Sequence, residues 1–165
     1  PHKLVTIDSK YGKTLKLEKT TYEAFIQMYN DASKDGVNLY IFSPYRGYNT
    51  QYSLYNRYVS RDGKTLADTY SARAGYSEHQ TGLAIDISRR GGNLNGFEST
   101  KEFQWLKENS YKYGFIIRYP KGKEWITGYQ YEPWHYRYVG VDVATKIYKE
   151  NITFEEYYAY YIENK

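Results

Sequence analysis

The sequence predicts a small α+β domain. Segments with apolar residues at helical spacing flank short, β-branched runs, and the links between the later runs are of hairpin length. No repeat, linker or shift of composition divides residues 1–165. One domain of that length buries roughly two-thirds of its unfolded surface.

Residues 1–19 alternate loosely (Leu4, Val5, Ile7, then Leu15 and Leu17) around a Tyr-Gly turn and read as one or two short strands. Thr20-Thr-Tyr-Glu23 has the form of a capping box, and Tyr22, Phe25, Ile26 and Tyr29 follow at helical spacing until Gly36. Asn38–Ser43 reads as a buried strand, followed by the turn-rich Ser43-Pro-Tyr-Arg-Gly-Tyr-Asn49 and a helix from Thr50 to about Ser60. Residues 61–76 lack a clear period and read as a loop walling a site, ahead of a strand over 83–88 and a glycine-rich loop over 89–96. The paired glycines of that loop fit no nucleotide-binding spacing. Ser99-Thr-Lys-Glu102 is a second capping box, opening a helix with Phe103, Trp105, Leu106 and Tyr113 that ends at Gly114. Phe115–Tyr119 reads as a strand, Trp125–Gly128 as a further strand or bend, and Tyr131–Val139 as strand-like. Val141–Lys149 suits a helix, and Thr153-Phe-Glu-Glu156 starts a last one reaching about Glu163.

Composition narrows the function classes. The net charge is +4 and the pI about 9.0, yet no five-residue block of Lys or Arg occurs. The charge therefore reads as mild attraction to anionic surroundings, without a nucleic-acid footprint. No cysteine is present, which excludes a Cys-based zinc finger and a disulfide framework. Tyrosine is in excess, at 23 residues, and suits half-buried strands or a polymer-binding surface as well as mere compositional habit. No apolar run approaches membrane-spanning length, and Pro1-His-Lys-Leu is not a signal peptide. The chain lacks an initiating methionine, so it reads as a trimmed or mature domain whose secretion signal or membrane anchor would lie upstream.

The chemistry concentrates in Tyr76-Ser-Glu-His-Gln-Thr-Gly-Leu-Ala-Ile-Asp86. Asp86 interrupts an apolar run, and a carboxylate buried there costs several kcal/mol, by order of magnitude, unless it is paired or coordinated. His79 stands seven positions before it, and His135 closes Glu132-Pro-Trp-His135. Two imidazoles and one carboxylate are a usual zinc set when a fourth position stays open for water, so the two stretches are expected to meet around one metal ion. Glu132 and His135, three residues apart, would face opposite sides of a regular strand, so Pro133 must kink the segment if both face the ion. Glu132 would then act as general base. Arg46, beyond a strand end and beside Pro44 and Gly47, could be held over a cleft to recognise a carboxylate. Each residue also has an ordinary reading: His79 as a satisfied structural histidine, Asp86 as a turn cap, Glu132 paired with His135, Arg46 in a surface salt bridge, Trp134 as core.

Together, Ser77-x-His79-x-x-Gly82-x-Ala84-x-Asp86 and Glu132-x-Trp134-His135 resemble the zinc D-alanyl-D-alanine carboxypeptidases of the VanY and LdcB type. Ser43-x-Tyr45-Arg46 with Gln51, Gly114-Phe115 with Arg118-Tyr119-Pro120, and Trp134 to Gly140 match the same pattern, and the likeness spans about residues 40–140. Pro44 stands where relatives often have glycine. The resemblance implies a central antiparallel sheet flanked by helices. It makes His79, Asp86 and His135 the ligands of one Zn2+ ion, Glu132 the catalytic base and Arg46 the group that polarises the scissile carbonyl or holds the peptide. Gln51 and Ser77 would contact the terminal D-alanine carboxylate, with Trp134 a further substrate-binding candidate. The implied substrates are peptidoglycan stem peptides, handled outside the cytoplasmic membrane of a bacterium by a monomer, with no nucleic-acid partner. D-Ala–D-Ala ends are favoured over L,D-linked tetrapeptide ends and over free D-Ala–D-Ala dipeptide. A non-catalytic wall-binding domain is the rival from another class.

Overall fold

A computed structural model describes residue 1 and residues 3–163 of the chain. A hairpin of β1 (Leu4–Thr6) and β2 (Lys16–Glu18) leads into α1 (Lys19–Lys34). Then follow β3 (Leu39–Ser43), α2 (Tyr48–Asp62), the short α3 (Lys64–Ala67), β4 (Ala84–Arg89) and α4 (Lys101–Asn109). The remainder is β5 (Phe115–Ile117), the single turn α5 (Glu124–Thr127), β6 (His135–Tyr138), α6 (Val141–Glu150) and α7 (Phe154–Tyr158). The main sheet has the order β3-β4-β6-β5, and every neighbouring pair is antiparallel. Among the described residues no helix is long and apolar enough to cross a membrane.

Strand periodicity sorts the sheet into two faces. Ile85 and Ile87 of β4 and Tyr136 of β6 are fully buried and pack with Phe25 and Met28 of α1, Ile41 of β3 and Phe115 of β5. The intervening residues, Asp86 and His135, turn to the other face and stand directly opposite one another in the β4–β6 register. A smaller apolar cluster, Ile116 with Ala144 and Ile147, seats α6 against β5. The apolar alternation that forms the core therefore also fixes the facing of the polar site.

Several boundaries differ from the sequence expectations, each for a local reason. The cap of α1 is Glu18, whose carboxylate accepts from Thr21 N at 3.0 Å, so Thr20 lies inside the helix and is no cap. Thr100, one residue past the expected Ser99, caps α4 by accepting from Phe103 N, because Ser99 is taken up by a preceding 3-10 turn. The expected capping box at Thr153 is complete on both sides. Residues 61–76 are not all loop: α2 runs to Asp62, and α3 follows Gly63, whose φ of +81° breaks the helix. Trp125 lies in a helical turn, not a strand; it is 84% exposed, with no apolar face to bury, and Gly128 N closes the turn on Glu124 O.

His79 sits on a 3-10 turn, Glu78–Thr81, that ends at Gly82 with φ +72°. A Cβ at Gly82 would stand 2.9 Å from Glu18 Cβ and 3.1 Å from Glu18 N, so both the backbone angle and the close approach of β2 demand glycine. Gly82→Ala should therefore lower unfolding stability by about 1–3 kcal/mol. Denaturant titration measures this, and unchanged stability would contradict the packing described.

Candidate active site

Asp86 and His135 meet because β4 and β6 are paired in register; Asp86 Oδ1 lies 2.9 Å from His135 Nδ1. His79 arrives on its turn from the side, with Nε2 3.4 Å from Asp86 Oδ2. The histidine rings cross at 72° with centroids 5.0 Å apart, and all three side chains are buried. One ligand atom from each lies within 4.8 Å of the others, a group able to hold one metal ion. Tetrahedral coordination at about 2.1 Å calls for donor separations of about 3.4 Å, which the two shorter spacings approach.

The chemistry of this set fits a cation. His79 Nδ1 is 2.8 Å from the Pro44 carbonyl, an acceptor only, so Nδ1 carries the proton and the Nε2 lone pair faces Asp86. Arg46 N donates in return to His79 O at 3.1 Å, tying the two loops together. Pro44, the departure from the resembled pattern, fixes the backbone that delivers this carbonyl. Tyr119 stacks on His135 at 5.0 Å and 17°.

Glu132 and Pro133 lie in a turn before β6, so the kink expected at Pro133 exists, and Glu132 Oε2 comes to 3.8 Å from His135 Nδ1. Arg46 enters from beyond β3, with Nη2 3.9 Å from Asp86 Oδ2 and 3.4 Å from Ser43 Oγ. All of these line a cleft of about 710 Å³ that also includes Ser77, Gln51 and Trp134. Trp134 packs partly on the core and partly forms the cleft wall. The Ser77 hydroxyl makes no hydrogen bond to protein among the described residues, which leaves it available to a ligand.

Gln51 differs from expectation. It is 1% exposed; its oxygen accepts from Arg46 Nη1 at 2.8 Å, and its nitrogen reaches Ala72 O at 2.6 Å and Ser71 Oγ at 3.4 Å. With both amide ends engaged by protein, Gln51 supports Arg46 instead of meeting a ligand's carboxylate. Periodicity in α2 could show that Gln51 sits near Arg46; it could not show what the loop at 71–72 supplies.

Sequence reasoning gave no site role to Glu78, Arg118 or Arg137. Glu78 Oε1 receives Arg118 Nε at 2.8 Å and Arg137 Nη1 at 2.9 Å. A signal existed for Arg137: it follows His135 by two residues on one strand and so shares its face.

Burial pushes the Asp86 carboxyl up, but the neighbouring imidazoles outweigh it and hold the group well below the usual carboxylate range. Burial pulls His135 down, yet the hydrogen bond to Asp86 and the neighbouring Glu78 carboxylate lift it to about 10. Burial first, with the nearby Arg46 and His135 adding, keeps His79 below its ordinary value despite Asp86. Glu132 is raised to about 7, by burial first, with His135 opposing and Asp86 adding. A carboxylate able to exchange a proton near neutrality thus stands beside a buried two-histidine, one-aspartate cluster.

Residues 14–141 match the family model described as VanY: D-alanyl-D-alanine carboxypeptidase. A D-alanyl-D-alanine carboxypeptidase of Enterococcus faecium is 41% identical over 90% of this chain and 46% of its own length. The solved LdcB LD-carboxypeptidase is 44% identical with a TM-score of 0.87, covering 96% of this chain and 78% of its own. A zinc(II) complex of a mutant vancomycin-resistance D,D-pentapeptidase VanY, from the VanB-type cassette, is 36% identical with a TM-score of 0.82, covering 94% and 88%. The chain spans between 46% and 61% of the length of the first three curated relatives it matches.

With His135 raised to about 10, the site without a cation is expected to carry an extra proton on that ring at pH 7, which a cation would displace. Zinc uptake should therefore release about one proton per ion, and apparent affinity should strengthen as pH rises toward 9. Calorimetry in buffers of different protonation enthalpy reads both; buffer-independent heats with pH-independent affinity would contradict the raised proton affinity of His135. His79→Ala and Asp86→Ala should each lose stoichiometric zinc, as measured by metal analysis.

Proposed function

The chain belongs to the VanY family of D-alanyl-D-alanine carboxypeptidases, and from that premise we propose that it hydrolyses the last peptide bond of peptidoglycan stem peptides, releasing D-alanine. The observation that carries the reading is the convergence of His79, Asp86 and His135 beside Glu132 and Arg46 at the floor of a cleft. His79 Nε2, an Asp86 oxygen and His135 Nδ1 would hold one zinc ion. When bound, zinc supplies Lewis acidity and lowers the pKa of a coordinated water to about 7.

The rest of the chemistry belongs to the chain. Glu132 accepts the proton of the attacking water and returns it to the departing amine of D-alanine, so a single carboxylate serves as base and then as acid. Arg46, fixed by Gln51 and Ser43, directs its guanidinium toward the oxygen on which negative charge develops. The Ser77 hydroxyl offers a hydrogen bond to the terminal carboxylate. Trp134 supplies an apolar wall. The region acts as one domain, as a monomer, and its substrate lies outside the cytoplasmic membrane.

D-Ala–D-Ala pentapeptide ends are the favoured substrate, following the family description. The 44% identity to an LD-carboxypeptidase supports a second reading, cleavage of L,D-linked tetrapeptide ends. Incubation with each stem peptide and mass measurement of the products separates the two; release of D-alanine from neither would overturn the hydrolase reading.

Glu132→Ala should keep zinc and lose kcat by at least about 10²-fold. Turnover near the parent value would remove Glu132 from its role. Chelation should abolish D-alanine release, and added zinc should restore it.

A further inference from the structure

Two buried polar atoms beside the site lack a hydrogen-bond partner among the described residues, and they face each other: Glu78 Oε2 and His135 Nε2, 3.7 Å apart. The other Glu78 oxygen is already committed to Arg118 and Arg137. Arg118 turns its two remaining nitrogens to Glu155 of α7, at 3.0 and 2.5 Å. Two carboxylates and two guanidiniums thus form a balanced, largely buried quartet behind His135, with side-chain exposures from 11% to 32%. Its one uncommitted acceptor points at the ring nitrogen opposite the cation-binding edge.

We propose that Glu78 is a positioning residue that accepts the Nε2 proton of His135, fixing the tautomer in which the Nδ1 lone pair is free for the metal. The inference rests on the metal-site reading above. Asp86 cannot do this work, because its oxygens lie on the Nδ1 side of the ring. Tyr119 stacks on the ring face and offers no in-plane acceptor. The arginines hold the Glu78 carboxylate ionised and stationary, so the ring of His135 is oriented before a cation arrives. A histidine ligand whose outer nitrogen is held by a carboxylate is both oriented and made more basic.

The test compares zinc affinity, by chelator competition, in the parent protein, Glu78→Gln and Glu78→Asp. Glu78→Gln removes the charge that fastens the side chain to both arginines; Glu78→Asp keeps the charge and draws the acceptor back from the ring. Both should bind zinc about 10–100-fold more weakly, and the cobalt-substituted proteins should show shifted visible bands. Long-range nitrogen–proton NMR on the zinc-loaded parent should find His135 protonated at Nε2. Variants that bind within about twofold of the parent, with the same cobalt spectrum, would overturn the role of Glu78 while leaving the metal site intact. Protonation at Nδ1 in the loaded parent would overturn it too. A parent chain that binds no zinc would instead remove the metal-site reading and this inference with it.

Discussion

The placement of Asp86 constrains the rest of the structure. It is a carboxylate 6% exposed, in a strand whose neighbouring residues, Ile85 and Ile87, are fully buried. Isolated, such a charge would be costly enough to protonate or to disrupt the strand. It persists because the β4–β6 register sets His135 opposite it and because His79 and Arg46 close over its other oxygen. The compensation is drawn from three separate stretches of chain, so forming the sheet and assembling the site are one event.

Around that carboxylate, polar groups are held in turn by neighbouring polar groups. The Pro44 carbonyl holds His79, Gln51 holds Arg46, and Ser71 and Ala72 hold Gln51. Supports of this kind lock the polar groups in place, as preorganised electrostatics requires. They also explain why a small domain keeps so many buried polar side chains on one side of its sheet while the opposite face is apolar.

Much of this could be read from the chain. The spacing of His79, Gly82 and Asp86, and the Glu132-Pro-Trp-His135 run, pointed to side chains that the fold does bring together, because strand periodicity and proline both leave marks in sequence. The capping box at Thr153 was legible because both halves are local, whereas the helix expected to start at Thr20 starts two residues earlier, with the Glu18 carboxylate accepting from Thr21 N. Around Trp125, where the sequence reads as a strand or bend, the chain forms a single helical turn, because its β-prone residues have nothing to cover them. The roles of Gln51 and Glu78 were not assignable because Ser71 and Ala72, which hold Gln51, and Arg118 and Arg137, which hold Glu78, lie at least 20 residues away. Those partners follow from loop paths and sheet order, which no local pattern encodes.

The two inner strands of the sheet carry Asp86 and His135, whereas His79 rides on a single 3-10 turn bracketed by a left-handed glycine. Ladder-bonded central strands open only with the whole domain, while short turns open at lower free-energy cost. The aspartate–imidazole pair therefore sits in the better protected part of the fold, and His79 in the less protected part. The orientation of His79 thus depends on one turn and on the hydrogen bond from its Nδ1 to the Pro44 carbonyl, whereas that of Asp86 and His135 is built into the sheet.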